Sequence, residues 1–298
     1  SFIKLPSIKI ILSFGILFSF LQTTFAQNWE AGVNLGTTSY LGDLQSTLLQ
    51  SNTMGMHFGV WTRWNMNRYL SFEAQVNKGD IQASDSNLPA FDPNHARNLN
   101  FRSTLVEVAT TAQLNLLPFD VRDHKISTPY IFAGVGAVYH NPQAELNGVY
   151  YNLKELGTEG QHLANSSKST LYTNVAMTIP YGIGMKFSLS DRVNVGVEAG
   201  FRLALTDYID DVSSVYPDID LLKQSSILAA NLSYRSPEFY KKSLSNPVGL
   251  KRGNDAKYDQ YFFAGIKFSM NLASKYKMEF DPHYKEFYKD FDTLETEN

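Results

Sequence analysis

Between Val175 and Ala204 the sequence keeps a strict two-residue period through two long arms. On the first arm Val175, Met177, Ile179, Tyr181, Ile183, Met185, Phe187 and Leu189 are all apolar, and Ala176, Thr178, Pro180, Gly182, Gly184, Lys186 and Ser188 fall between them. Ser190–Asp191–Arg192 supplies a tight turn, and the second arm sets Val193, Val195, Val197, Ala199, Phe201 and Leu203 against Asn194, Gly196, Glu198, Gly200, Arg202 and Ala204. Successive strand residues point to opposite faces, so each arm has one wholly apolar face and one small or polar face. Such arms are longer than the usual strand of about five or six residues and reach the roughly 9–11 tilted residues needed to cross a bilayer. A chain that crosses with strands must close them, because an open edge in hydrocarbon leaves backbone N–H and C=O groups unpaired.

The same alternation recurs from Trp29 to Gly36, Met56 to Asn65, Leu70 to Asn77, Val106 to Leu116, Ile131 to Tyr139 and Phe262 to Leu272, which with the central hairpin makes eight strands. The connections alternate as well. Those near Asn67–Arg68, across Pro118–Thr128 and at Ser190–Arg192 are short or modest, and those over 38–53, 83–102, 140–174 and 205–256 are long. Short periplasmic turns and long outer loops are the habit of transmembrane barrels. The expected fold is therefore all-β, an eight-stranded antiparallel up-and-down transmembrane barrel with long extracellular loops. Periodicity says that two faces differ, not which one points inward, and a soluble barrel with its apolar faces inward is the competing expectation.

Export and composition bear on that choice. Lys4 and Lys9 precede an apolar run from Ile10 to Leu21, and Thr24–Phe25–Ala26 offers small residues for cleavage. Residues 1–26 read as a secretory signal peptide, residues 27–272 as the barrel, and 273–298 as a periplasmic C-terminal tail. The destination expected is the outer membrane of a Gram-negative bacterium, with its lipids as first partners. Aromatic residues make up 13% of the chain, with 20 Phe and 17 Tyr against 3 Trp, which suits a protein that places rings at a membrane interface. A net charge of -3 gives no nucleic-acid footprint. With no cysteine, disulfides and thiol chemistry are excluded.

If the polar faces point inward, the lumen receives Glu30, Glu73, Glu107 and Glu198 together with Arg63, Lys186, Arg202 and Lys267. Four acids meet four bases, as buried charges require. An eight-stranded barrel is just wide enough for side chains to fill, so this set reads as a polar plug rather than a channel.

No motif for catalysis or cofactor binding is present: there is no HExxH, GxSxG, P-loop or dinucleotide fingerprint. The six histidines, His57, His95, His124, His140, His162 and His283, stand at no metal-ligand spacing. The expectation is a non-enzymatic protein without cofactor. A lipase or acyltransferase would need a Ser–His–acid cluster at the rim, with His57 or His140 as its base. The loop bearing Asp207, Asp210 and Asp211, followed by Asp218 and Asp220, reads as an ordered acidic loop, with calcium as the alternative occupant. In the tail, Tyr284, Phe287, Tyr288 and Phe291 interleave with charge and are candidate anchors for a periplasmic partner.

Three stretches carry a family resemblance: Gly36–Thr37–Thr38–Ser39–Tyr40–Leu41–Gly42–Asp43–Leu44, Thr206–Asp207–Tyr208–Ile209–Asp210–Asp211–Val212–Ser213, and Lys251–Arg252–Gly253–Asn254 leading into Asp259–Gln260–Tyr261–Phe262–Phe263. They resemble the PorG-like outer-membrane barrel proteins of Bacteroidota-type bacteria. The resemblance implies an eight-stranded barrel tied to type IX secretion and gliding, in contact with a periplasmic ring built from a lipoprotein and its partner. It implies no catalytic role. The functional expectation is a structural anchor or assembly partner of an envelope complex. The alternative is a surface receptor or adhesin that binds through its long loops.

Overall fold

Every barrel strand has a hydrogen-bonded neighbour on both sides. The computed structural model describes residues 29–48, 50–119, 127–163, 171–190 and 192–272. Its strands are β1 (Trp29–Leu41), β2 (Gly55–Asn65), β3 (Leu70–Ser84), β4 (Asn100–Asn115), β5 (Ser127–Tyr139), β6 (Pro142–Leu146), β7 (Val149–Asn152), β8 (Val175–Ser188), β9 (Val193–Ala204) and β10 (Gln260–Asn271). Eight of them, in the order β3-β2-β1-β10-β9-β8-β5-β4, close through a β3–β4 pairing. That ladder runs from Leu70 opposite Leu114 to Ser84 opposite Asn100. The first and last strands meet from Glu30 opposite Asn271 to Leu41 opposite Gln260. All neighbours are antiparallel, so the barrel is up-and-down.

The structure settles which face is inside. On β4, Val106, Val108, Thr110, Ala112 and Leu114 face outward and are exposed, while Glu107, Ala109, Thr111, Gln113 and Asn115 face inward and are buried. The exterior is apolar and the lumen polar, the polarity of a transmembrane barrel.

Toward the long-loop end of β3 and β4 that polarity inverts while the strands keep their phase. On β3 the outward series passes from Phe72, Ala74 and Val76 to Lys78, Asp80 and Gln82, and the inward series from Glu73, Gln75 and Asn77 to Gly79, Ile81 and Ala83. On β4 the change falls between Val106 and Thr104, and the two borders lie together because Lys78 pairs with Val106 and Asp80 with Thr104. Below the border hydrocarbon lies outside, and above it water does. This is why β3 and β4 outrun the apolar alternation that ends at Asn77 and begins at Val106: the pleat continues, but the chemistry of its two faces is exchanged.

The short connections and both ends of the described barrel lie together, and the Leu272 N–H donates to the Trp29 carbonyl. At the β2–β3 turn the Asn67 side chain accepts the Tyr69 and Leu70 N–H groups. The long connections carry structure that alternation does not report. The β6–β7 hairpin pairs with the outer end of β4 and turns on Asn147 and Gly148, both at positive φ, the combination a two-residue type I′ turn demands. Four short helices follow: α1 (Leu153–Leu156), α2 (Ile219–Ser225), α3 (Ile227–Ser233) and α4 (Ser236–Tyr240). Asp218 and Ser226 cap α2 and α3 through their side-chain oxygens. Loop residues Leu44, Leu153, Ile209, Val212 and Leu232 join Tyr40, Ile81, Phe101, Leu105, Tyr261 and Phe263 in one apolar core at the long-loop end of the barrel.

The border predicts depth-dependent tolerance. Val108→Arg, in the middle of the apolar belt, should cost about 2–4 kcal/mol, and Thr104→Arg, beyond the border, about 0–1 kcal/mol. Reversible unfolding from bilayers measures both. Equal costs would mean that no hydrocarbon border lies between the two rows.

Candidate functional site

Two polar assemblies occupy the lumen, one within the apolar belt and one at the outer mouth. The first contains all eight charged residues expected there. Arg63 reaches Glu73 at 2.7 Å and Glu30 at 3.4 Å. Lys267 reaches Glu73 at 2.5 Å and Glu198 at 3.0 Å. Arg202 lies 3.6 Å from Glu107, which also accepts the Tyr261 hydroxyl. Neutral donors complete the carboxylates: Asn65, Asn194 and Ser269 bond Glu30, Gln113 bonds Glu73, and Tyr130 bonds Glu198. The cations also rest on rings, with Arg63 and Lys267 over Trp61 at 4.5 and 4.7 Å and Arg202 over Phe263 at 4.5 Å. Lys186 stands apart, near Gln113 and over the Tyr130 and Phe119 rings. Gly182 and Gly200 leave the space that the Phe132 ring fills; a Cβ on either would come within 2.8 or 2.5 Å of its Cζ. The polar layer and the apolar layer above it are stacked along the lumen.

The second assembly is built from the three stretches that carry the resemblance. The Tyr40 hydroxyl, from the outer end of β1, lies 2.5 Å from Asp210 and 3.0 Å from Asp259 and accepts the Asp43 N–H. Asp43 accepts the Asn254 N–H at 2.7 Å. A Cβ at Gly253 would come within 2.5 Å of that carboxylate and of the Ser213 carbonyl, and a Cβ at Gly42 would overlap the Tyr40 hydroxyl. Asp211 faces the other way and accepts the Tyr172 and Thr158 hydroxyls. Arg252 donates to Glu159 at 3.0 Å and to the Asp211 carbonyl at 2.6 Å. Glu159 in turn accepts the Ser213 N–H. Arg97 joins the loops from the β3–β4 side. It forms a two-pronged pair with Asp85 at 2.7 Å per contact and donates to the Asp43 and Arg252 carbonyls. One network thus ties all four long connections across the mouth.

Burial dominates the electrostatics here. It pushes Asp210 and Asp259 well above the carboxylate range, and neighbouring acids push the same way. It raises Asp211 to about 6 against the opposing pull of Arg252. Arg252 is buried too, but Glu159 and Asp211 outweigh the desolvation and raise its pKa.

The acidic loop does not gather its carboxylates around an ion. Asp210 and Asp211 point to different partners, Asp218 caps α2, and Asp220 pairs at the surface with Lys223 at 3.8 Å. Among the described residues no group of three acids or histidines is placed to hold a metal. The loop is a hydrogen-bonded strut in which Asp210 takes the Tyr40 hydroxyl and the Val212 N–H, and Asp211 takes the Tyr172 and Thr158 hydroxyls. Among the described residues no serine is hydrogen-bonded to His57 or His140. His57 bonds the Thr37 carbonyl at 3.2 Å and stacks on Phe263. His140 is buried in a stack with Tyr172, which itself stacks on Tyr208. His124, His283, the signal segment 1–26 and the tail anchors Tyr284, Phe287, Tyr288 and Phe291 lie outside the described residues.

Sequence reading missed Arg97, Glu159 and the Asp85 partner. Arg97 and Asp85 fall in a polar connection without period, and Glu159 lies between Gly157 and Gly160, both at positive φ. The only local hint was that pair of glycines.

A family model described as a domain of unknown function, DUF6089, matches residues 9–229. No curated protein matches the sequence. Among solved structures the chain is similar to Neisserial surface protein A, at 8% identity over 82% of this chain and 96% of that one, with a TM-score of 0.41. It is similar to OprG from Pseudomonas aeruginosa at 8% identity over 83% and 98%, with a TM-score of 0.37. It is also similar to Ail, the attachment invasion locus protein of Yersinia pestis, at 8% identity over 81% and 99%, with a TM-score of 0.35.

Glu73 is the shared anion of Arg63 and Lys267. Glu73→Ala should cost about 3–5 kcal/mol, because it takes the shorter ion pair from two buried cations and leaves Arg63 only Glu30 and Lys267 only Glu198, whereas Asp220→Ala, at an exposed pair, should leave stability unchanged. Denaturant unfolding measures the difference, and a Glu73→Ala variant as stable as wild type would show that the lumen network is not what orders the barrel.

Proposed function

The chain belongs to the DUF6089 family, and from its closed barrel and filled lumen we propose that it is a non-enzymatic outer-membrane barrel serving as an anchor or assembly partner of an envelope complex. Within that reading, the type IX secretion machinery is the complex that the three motif stretches favour. The observation that carries the proposal is the filling of the lumen by two stacked layers, charged within the belt and apolar at the mouth. A barrel filled in this way offers a solute no path, so its work falls to its surfaces. The described residues bring no serine hydroxyl onto His57 or His140, which supports a binding role over a hydrolytic one.

The two ends of the described barrel stand on the short-turn side, so the tail after Leu272 starts there. In an outer-membrane orientation that side is periplasmic. The tail's aromatic residues Tyr284, Phe287, Tyr288 and Phe291 are then the proposed anchors for a ring lipoprotein or its partner. Residues 1–26 complete the proposal as the export signal. A receptor or adhesin role is the second reading, favoured by exposed Phe91, Phe239 and Tyr240 on the outer connections.

Deleting residues 273–298 should leave the barrel in the outer membrane and abolish cross-links to periplasmic proteins. Cross-links that persist unchanged would reject the tail as the docking element. Liposomes carrying the full chain should show no solute-driven swelling above empty liposomes, and swelling would reject the filled lumen.

A further inference from the structure

The Tyr40 hydroxyl has three polar neighbours and one hydrogen. It accepts the Asp43 N–H at 3.0 Å, so its own hydrogen can serve only one of the two carboxyl oxygens beside it, Asp210 Oδ2 at 2.5 Å or Asp259 Oδ1 at 3.0 Å. The remaining carboxyl oxygens are already acceptors. Asp210 Oδ1 takes the Val212 N–H at 2.8 Å, and Asp259 Oδ2 takes the Ile209 N–H at 3.0 Å. If both carboxyls were ionised, one oxygen would face the phenol oxygen with no proton between them, in a buried site. We propose that Tyr40, Asp210 and Asp259 hold one additional shared proton, and that its loss frees the 205–259 connection from the barrel mouth, making the outer cap pH-responsive.

Among the described residues the surroundings offer no substitute for that proton. From the connection after β1 comes Asp43, and from the one after β9 come Asp207 and Asp211, all acids. Lys251 bears on the Asp43 side of the group. Arg97, beside them, is held by Asp85 and by the Asp43 and Arg252 carbonyls, and Arg252 is held by Glu159 and the Asp211 carbonyl. Burial and the neighbouring acids raise both Asp210 and Asp259, in keeping with the hydrogen count.

The sign follows from linkage. A carboxyl whose pKa is raised in the folded state keeps its proton where the unfolded chain has released it. Its contribution is complete below the ordinary aspartate value and declines as pH rises through the folded value. Asp211, at about 6, adds a smaller decline of the same sign. The segment at stake carries Ile209 and Val212, which are buried in the apolar layer that closes the mouth. Loss of the proton would therefore loosen the outer surface and leave the strand ladder in place.

The test uses the full chain folded in bilayers, with hydrogen-exchange protection of the Ile209 and Val212 amides followed from about pH 5 to about pH 9 and corrected for intrinsic exchange. Wild-type protection should fall roughly tenfold or more across that range. Asp259→Asn should hold its protection nearly level, because its amide donates to Tyr40 permanently and its oxygen still accepts the Ile209 N–H. Difference infrared spectra should show the carbonyl stretch of a buried carboxylic acid in wild type at neutral pH. If Asp259→Asn fails to fold, Asp210→Asn carries the same test. Level protection in wild type, an equal decline in the amide variant, or no carboxylic acid band would each overturn the proposal.

Discussion

Hydrocarbon offers a backbone no hydrogen bonds, and the rest of this structure follows from that constraint. Each of the eight barrel strands is paired on both sides, and the ring closes between β3 and β4. With the sheet closed, side chains sort by what lies outside. Val76, Val108 and Leu114 meet lipid, and the alternate positions have only the narrow lumen to fill. Eight strands enclose a lumen narrow enough for side chains to fill, and the charged residues placed there, Lys186 apart, pair with one another.

The lumen is filled differently at two depths. Within the belt, charges are shared: Glu73 serves both Arg63 and Lys267, and Glu30 combines Arg63 with three neutral donors. Removing one partner from such a set costs far more than the set contributes by itself, which favours one side-chain arrangement over others. Above the border water replaces lipid outside, and the strands change to an ordinary apolar interior around Ile81, Phe101 and Leu105. Loop residues then plug the top, and the Tyr40–Asp210–Asp259 and Arg252–Glu159 contacts fasten them there.

The strands were legible because period two survives in the side chains wherever one face meets lipid. The inward charged set was legible from the same pattern and from its balance of signs. The period alone did not give sidedness, since an inverted barrel shares it; the length of the apolar arms and the aromatic content pointed to it. The outer ends of β3 and β4 were hidden because Lys78, Asp80, Thr104 and Arg102 place polar residues where the lower strand has apolar ones. The β6–β7 hairpin had a local signal in Asn147–Gly148, and α2 and α3 had theirs in Asp218 and Ser226, yet each lies in a connection where no alternation directs attention. The motif stretches were visible one by one. Their convergence was not, because the contacts that join them span 170, 219 and 211 residues of chain, and no local pattern encodes such distances.

The central claim is that these strands close into a barrel whose apolar face meets lipid. The most direct measurement is gel mobility of the protein from isolated outer membranes in mild detergent, before and after boiling. A closed transmembrane barrel resists the detergent, so the unheated protein should run faster than the boiled protein and fractionate with the membrane. Identical mobility, with the protein recovered in the soluble periplasmic fraction, would contradict the account.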